Sequence, residues 1–199
     1  MGGTLGITFN ETMAGGFSLG ATEPDTGEKA GRAAGMTLSM HATVLIPDLE
    51  RFISDPDHVG ELTGTIDFMP LGQGLAAPRG LFNLFSPADD PRLRLMIYEL
   101  VFRAGERDYY LAGQKRVRDD SGFDLWSDTT TLFTTLREGQ DATGPTVGAG
   151  ILHLSVAELI KMSATMRTVN AESPAAGAEA LSRFGTFFLG NLWATYGRR

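Results

Sequence analysis

Few residues in this chain have the type and spacing for covalent chemistry. Gly16-Phe17-Ser18-Leu19-Gly20 matches G-x-S-x-G, the nucleophile elbow of α/β-hydrolases. That chemistry needs a strand, a strained turn and then a helix whose first N–H groups help to stabilise an oxyanion. Here Ala21-Thr22-Glu23-Pro24-Asp25 follows and reads as loop, so Ser18 is expected at a glycine-rich strand end. Asp55-Pro56-Asp57-His58-Val59-Gly60 begins like an EF-hand loop. Val59 stands where an oxygen ligand is wanted and Ile66 where the bidentate Glu belongs, so a solvated turn is expected. His41, His58 and His153 lack the paired spacing of zinc ligands and read as structural histidines. With no cysteine, thiolate nucleophiles and Cys-based metal sites are excluded. No P-loop and no G-x-G-x-x-G after a strand occurs, so no cofactor and no metal is expected.

The carboxylates are more informative. Glu99 alternates with the same face as Leu93, Leu95, Ile97 and Val101, and the opposite face of Met96, Tyr98, Leu100 and Phe102 is equally apolar. A carboxylate on a buried face must find a partner or suffer a raised pKa. Either Glu99 works as an acid or base, or it pairs with Lys115 or Arg116 on the next strand. Asp124, Trp126, Asp128 and Thr130 share a face if Phe123 to Arg137 is extended, which lets Asp124 and Asp128 line a polar site beside the indole. The competing reading is an outer face, with these Asp side chains against Lys115, Arg116 and Arg118. Glu99, Asp124 and Asp128 are therefore the candidate catalytic residues. Asn83, Tyr98, Lys115 and Trp126 are the candidate ligand-binding residues.

Those positions need strands to hold them. Met36 to Ile46 and Val59 to Met69 alternate with period two, as half-buried strands do. Gly80 to Phe85, Arg92 to Arg103, Asp108 to Arg118 and Thr146 to Leu154 read as further strands, as does a segment opening at Leu5. Ala104-Gly105-Glu106-Arg107 marks a hairpin. Leu49, Phe52 and Ile53 recur at helical spacing after Pro47-Asp48, and Ser155 with Glu158 forms a capping box. A C-terminal helix is expected over about 175–196, where Leu181, Phe184, Phe188 and Leu192 share a stripe. Residues 21–35 and the Gly72 to Pro78 stretch read as loops.

About eight antiparallel strands with short peripheral helices predict a mainly β domain, a lipocalin-like barrel with a β-sandwich as the alternative. The 199 residues fit one such domain over the whole chain. A net charge of −7 argues against nucleic acid as a partner. No run of 18 apolar residues and no basic, apolar leader occurs, so no membrane span and a cytoplasmic location are expected.

Phe9-Asn10-Glu11-Thr12-Met13, Gly80-Leu81-Phe82-Asn83-Leu84-Phe85 and Phe123-Asp124-Leu125-Trp126-Ser127-Asp128-Thr129-Thr130-Thr131-Leu132 resemble a segment that accompanies bacterial GMC-type, cholesterol-oxidase-like oxidoreductases. The resemblance runs from about Leu5 to Tyr196. It implies an oxidoreductase partner and nearby lipid- or steroid-like molecules. The flavin fingerprint of those enzymes is absent, so flavin chemistry does not carry over. The leading expectation is a non-catalytic domain that binds an apolar small molecule. The alternatives are a cofactor-independent isomerase, cyclase or hydrolase, and a structural interaction module.

Overall fold

The alternating segments become ten strands, most of them in one closed ring. The computed structural model describes residues 3–118 and 125–196, without the side chains of residues 125–126 and 193–196. The strands are β1 (Gly6–Leu19), β2 (Thr37–Ile46), β3 (Val59–Phe68), β4 (Gly72–Ala77), β5 (Arg79–Pro87), β6 (Leu93–Ala104), β7 (Arg107–Arg118), β8 (Thr131–Glu138), β9 (Thr146–His153) and β10 (Arg167–Val169). The helices are α1 (Pro24–Ala33), α2 (Leu49–Ser54), α3 (Leu125–Thr130), α4 (Val156–Thr165) and α5 (Pro174–Tyr196). Neighbours pair antiparallel in the order β1-β2-β3-β5-β6-β7-β8-β9, and β9 returns to β1 with Phe17 opposite Gly150. This is the expected closed eight-stranded barrel, and a sandwich is ruled out. β4 adds only to β3, and β10 only to β1.

An up-and-down ring sends its connections alternately to two ends. The β6–β7 and β8–β9 turns lie at one end, and α2, α3 and α4 leave strands at the other. The first end is filled. Phe17 meets Phe68 edge-on at 5.2 Å, and Phe102 stacks on Tyr109 at 5.6 Å. Burying each such ring stabilises the fold by about 1.5–3 kcal/mol. At the second end α5 covers the ring, setting Phe184 against Phe9 and Phe52. Ser155 caps α4 as expected, its Oγ accepting from the Glu158 N–H at 3.2 Å. The Glu158 carboxylate, however, accepts from Lys161 instead of reaching back to close the capping box. Asp48 is the N-cap of α2 and accepts from the Arg51 N–H at 3.0 Å.

Three segments depart from the sequence expectations. Residues 21–35 hold α1, not a loop. Its Gly27 and Gly31 lower helix propensity, but both are buried against barrel backbone, where packing decides. Gly72 to Ala77 forms β4, a strand that needs only backbone pairing with β3. Residues 125–130 are the short helix α3, so among the described residues the extended reading of Phe123 to Arg137 holds from Thr131 onward. Trp126, Asp128 and Thr130 therefore do not share a strand face. Asp124 and the Trp126 side chain lie outside the described residues.

Helix α1 rests on the seam that closes the ring. A Cβ on Gly27 would overlap the Ala149 carbonyl oxygen, and one on Gly31 the Phe17 backbone nitrogen. Glu28 ties the same helix to β9 by accepting from His153 Nε2 at 3.1 Å. Burial alone would raise the Glu28 carboxyl, yet bonds from His153 and Arg32 hold it below the usual value. Gly31→Val is expected to destabilise the protein by about 3 kcal/mol, because backbone on both sides cannot yield. Urea denaturation measures this, and an unchanged midpoint would show that α1 is dispensable to the seam.

Candidate functional site

The helices do not fill the second end. Where α3, α4 and α5 cover it, a cavity of about 620 Å³ remains inside. That volume lies within the ~300–1,000 Å³ typical of small-molecule sites. Alternation on the strands aims Phe82 and Leu84 of β5 and Met96 of β6 into it. Leu159 and Met162 of α4 and Phe188 of α5, all half-buried, line its outer side, which stays partly open to solvent.

One wall is polar. Inward positions of β1, β6 and β7 bring Glu11, Tyr98 and Lys115 together, and the three are only 2%, 4% and 2% exposed. Lys115 Nζ donates to Glu11 Oε1 at 2.6 Å, while the Tyr98 hydroxyl donates to Glu11 Oε2 at 2.7 Å. The ammonium also lies 4.9 Å from the centre of the Tyr98 ring, within cation–π range. Burial, reinforced by the Glu11 charge and hydrogen bond, pushes the Tyr98 phenol well above its usual value. Tyr98 therefore stays protonated and keeps donating.

This triad is internally neutral and largely satisfied. Glu11 has both oxygens occupied. An ammonium carries three N–H donors, and Glu11 accepts from one of them. What the wall can offer an occupant's oxygen is thus the two remaining ammonium N–H donors, set in a mostly apolar space that Thr129, Thr130 and Ser163 also line.

The sequence candidates divide sharply. Tyr98 and Lys115 line the cavity and touch the same carboxylate. Glu99 lies on the outer face of β6. It faces Tyr110, whose phenol is raised by burial and then by the nearby Glu99 carboxylate. Asp128 accepts from the Arg118 backbone N–H at 3.2 Å and lines a surface groove with Arg116 and Arg118. Glu99 and Asp128 do not converge. Asn83 is buried behind the cavity wall, where its amide N–H and the Ser86 hydroxyl both donate to the Asp57 carbonyl.

Glu11 is the cavity-wall residue that sequence reasoning passed over. Its signal was present, since it alternates with Leu5, Ile7 and Phe9 on one apolar face.

The remaining motifs have structural roles. Ser18 lies within β1, its hydroxyl donating to the Leu19 carbonyl, with no helix before Pro24. Ser18→Ala should change stability by no more than about 0.5 kcal/mol, as surface substitutions do. It should leave any hydrolysis of p-nitrophenyl esters at its starting rate, and a lost esterase rate with intact folding would overturn that assignment. His41 bridges Thr12 and Asp67, and His58 Nδ1 donates to the Phe52 carbonyl at 2.8 Å. Among the described residues no cluster of three His, Asp or Glu could hold a metal ion, and no helix is long and apolar enough to cross a membrane. Comparison with protein-family models, curated proteins and solved structures finds no match for this chain.

Proposed function

We propose that this barrel binds one apolar small molecule in the cavity under α3–α5, with a single oxygen of that molecule against Lys115. The observation that carries this reading is the fully buried Glu11–Lys115–Tyr98 triad on the wall of an apolar cavity. Desolvating an ion pair commonly costs more than the pair returns, and apolar residues of similar volume serve a core as well or better. A protein that needed only a packed core has no use for these three side chains there. A ligand oxygen does.

The separation of Glu99 and Asp128 weighs against the acid–base enzyme built on those residues. The resemblance to the GMC-associated segment supports a lipid- or steroid-like occupant and an oxidoreductase as partner.

The test is displacement of a solvatochromic apolar dye by alkanols, sterols and their hydrocarbon counterparts. Saturable one-to-one binding is expected, with the alkanol favoured over the alkane by about 1 kcal/mol for its one hydrogen bond. Non-saturable partitioning, or equal affinity for alkane and alkanol, would remove this reading and leave the interaction module.

A further inference from the structure

Lysine is scarce in this protein. Of its 17 cationic side chains, only Lys29, Lys115 and Lys161 are lysines, and the other 14 are arginines. Lys29 and Lys161 are exposed on α1 and α4. Lys115 alone is buried, 2.6 Å from a carboxylate and on the wall of the cavity. For a purely structural buried pair, arginine is the better residue, because its planar fork meets a carboxylate twice and is weakly hydrated. What lysine offers instead is a primary amine that becomes a nucleophile once its proton is removed.

We propose that Lys115 captures an apolar aldehyde in this cavity as a Schiff base; the proposal rests on the binding reading above and names its ligand class. Glu11 takes a proton from the ammonium, leaving a free amine on a wall where both side chains are almost fully buried. The amine lone pair adds to the carbonyl carbon, and the oxygen of the resulting carbinolamine leaves as water. Two of the three ammonium hydrogens depart with that oxygen. The third remains on the C=N–H⁺ nitrogen, and Glu11, again a carboxylate, balances its charge. No oxidant or reductant is consumed. The buried charge is the same before and after, one cation facing one anion, so the step adds no uncompensated charge to a low-dielectric site. The Tyr98 hydroxyl, bonded to the same carboxylate, holds Glu11 in place while its proton comes and goes. With Glu11 and the Tyr98 ring flanking Nζ, a carbonyl bearing one substituent has the easier approach, which favours an aldehyde over a ketone.

Decanal and decanol separate this proposal from the binding reading, since only the aldehyde can condense. The wild-type protein is incubated with decanal, reduced with cyanoborohydride and mapped by peptide mass spectrometry. Reductive decylation at Lys115 is expected to exceed that at Lys29 and Lys161 by at least about tenfold, despite its burial. Lys115→Arg keeps a cation beside Glu11 but has no primary amine, and its adduct at this site should vanish. Gly185→Phe fills the cavity without touching Lys115 and should lower the adduct by about tenfold or more. Labelling that follows exposure, with Lys29 and Lys161 ahead of Lys115, would overturn the proposal. An unlabelled Lys115 in a protein that still binds decanol defeats the Schiff base and leaves the binding site standing. Failure of both probes defeats the two together.

Discussion

Lys115→Met should destabilise the protein by about 3–5 kcal/mol, the usual cost of leaving a buried carboxylate without its partner. The Glu11 side chain is 2% exposed, so water cannot take over from the lost ammonium without a rearrangement. Glu11→Leu alone should cost a similar amount, because it strands both the Lys115 ammonium and the Tyr98 hydroxyl. The combined Glu11→Leu, Lys115→Met, Tyr98→Phe variant removes every member of the network at once. It should be at least as stable as the starting protein, to within about 1 kcal/mol, since no polar group is left unsatisfied. Guanidinium denaturation of the four proteins gives these differences directly. A single-variant loss below about 1 kcal/mol would mean that the cavity hydrates the pair. A triple variant several kcal/mol less stable would make the triad a structural device, and the functional argument from it would fail.

Gly185→Phe is expected to raise stability while abolishing ligand binding. Gly185 lies within α5 and lines the cavity, and a Cβ built there meets nothing within 4 Å. Replacing glycine in a helix interior gains about 0.5 kcal/mol or more in propensity, and a phenyl ring in empty apolar space adds burial. The same ring occupies the volume the ligand needs, so affinity should fall by about 100-fold, a ~2.7 kcal/mol loss. Thermal unfolding and dye displacement on one sample read both effects. Lower stability with unchanged affinity would place the binding site elsewhere. Few structural roles predict opposite signs for the two readouts.

The barrel was legible because its strands alternate cleanly. Met36 to Ile46 shows its period with no breaks, and β2 closely follows it. Helix α1 was hidden for the opposite reason. Gly27 and Gly31 read locally as breakers, and their value appears only once β1 and β9 meet to form the surface they touch. Six residues of α3 were read as strand because Trp126 and the Thr129-Thr130-Thr131 run favour extended backbone.

At the site, Tyr98 and Lys115 were named as ligand-binding candidates. Tyr98 was counted in an apolar face, however, and Lys115 was read as a partner for Glu99 or the Asp side chains, so their meeting at Glu11 was not legible. Glu99 drew attention because β6 is apolar on both faces, and nothing local says which face meets the interior. Burial answers that: the even positions from Met96 to Phe102 point in, leaving Glu99 outside. Glu11 was readable from its apolar neighbours, but its partners lie 87 and 104 residues away. No spacing within β1 encodes a contact of that range. Closure of the ring creates it.

The most direct test of the account is a crystal structure of the protein grown with a bromine-terminated decanol, whose two ends are told apart by anomalous scattering. One molecule is predicted inside the barrel end, its hydroxyl oxygen within hydrogen-bond distance of Lys115 Nζ and its bromine among the α4 and α5 side chains. A cavity closed by its own side chains, with bromine peaks only on the outer surface, would contradict the claim that this barrel is built to hold a ligand.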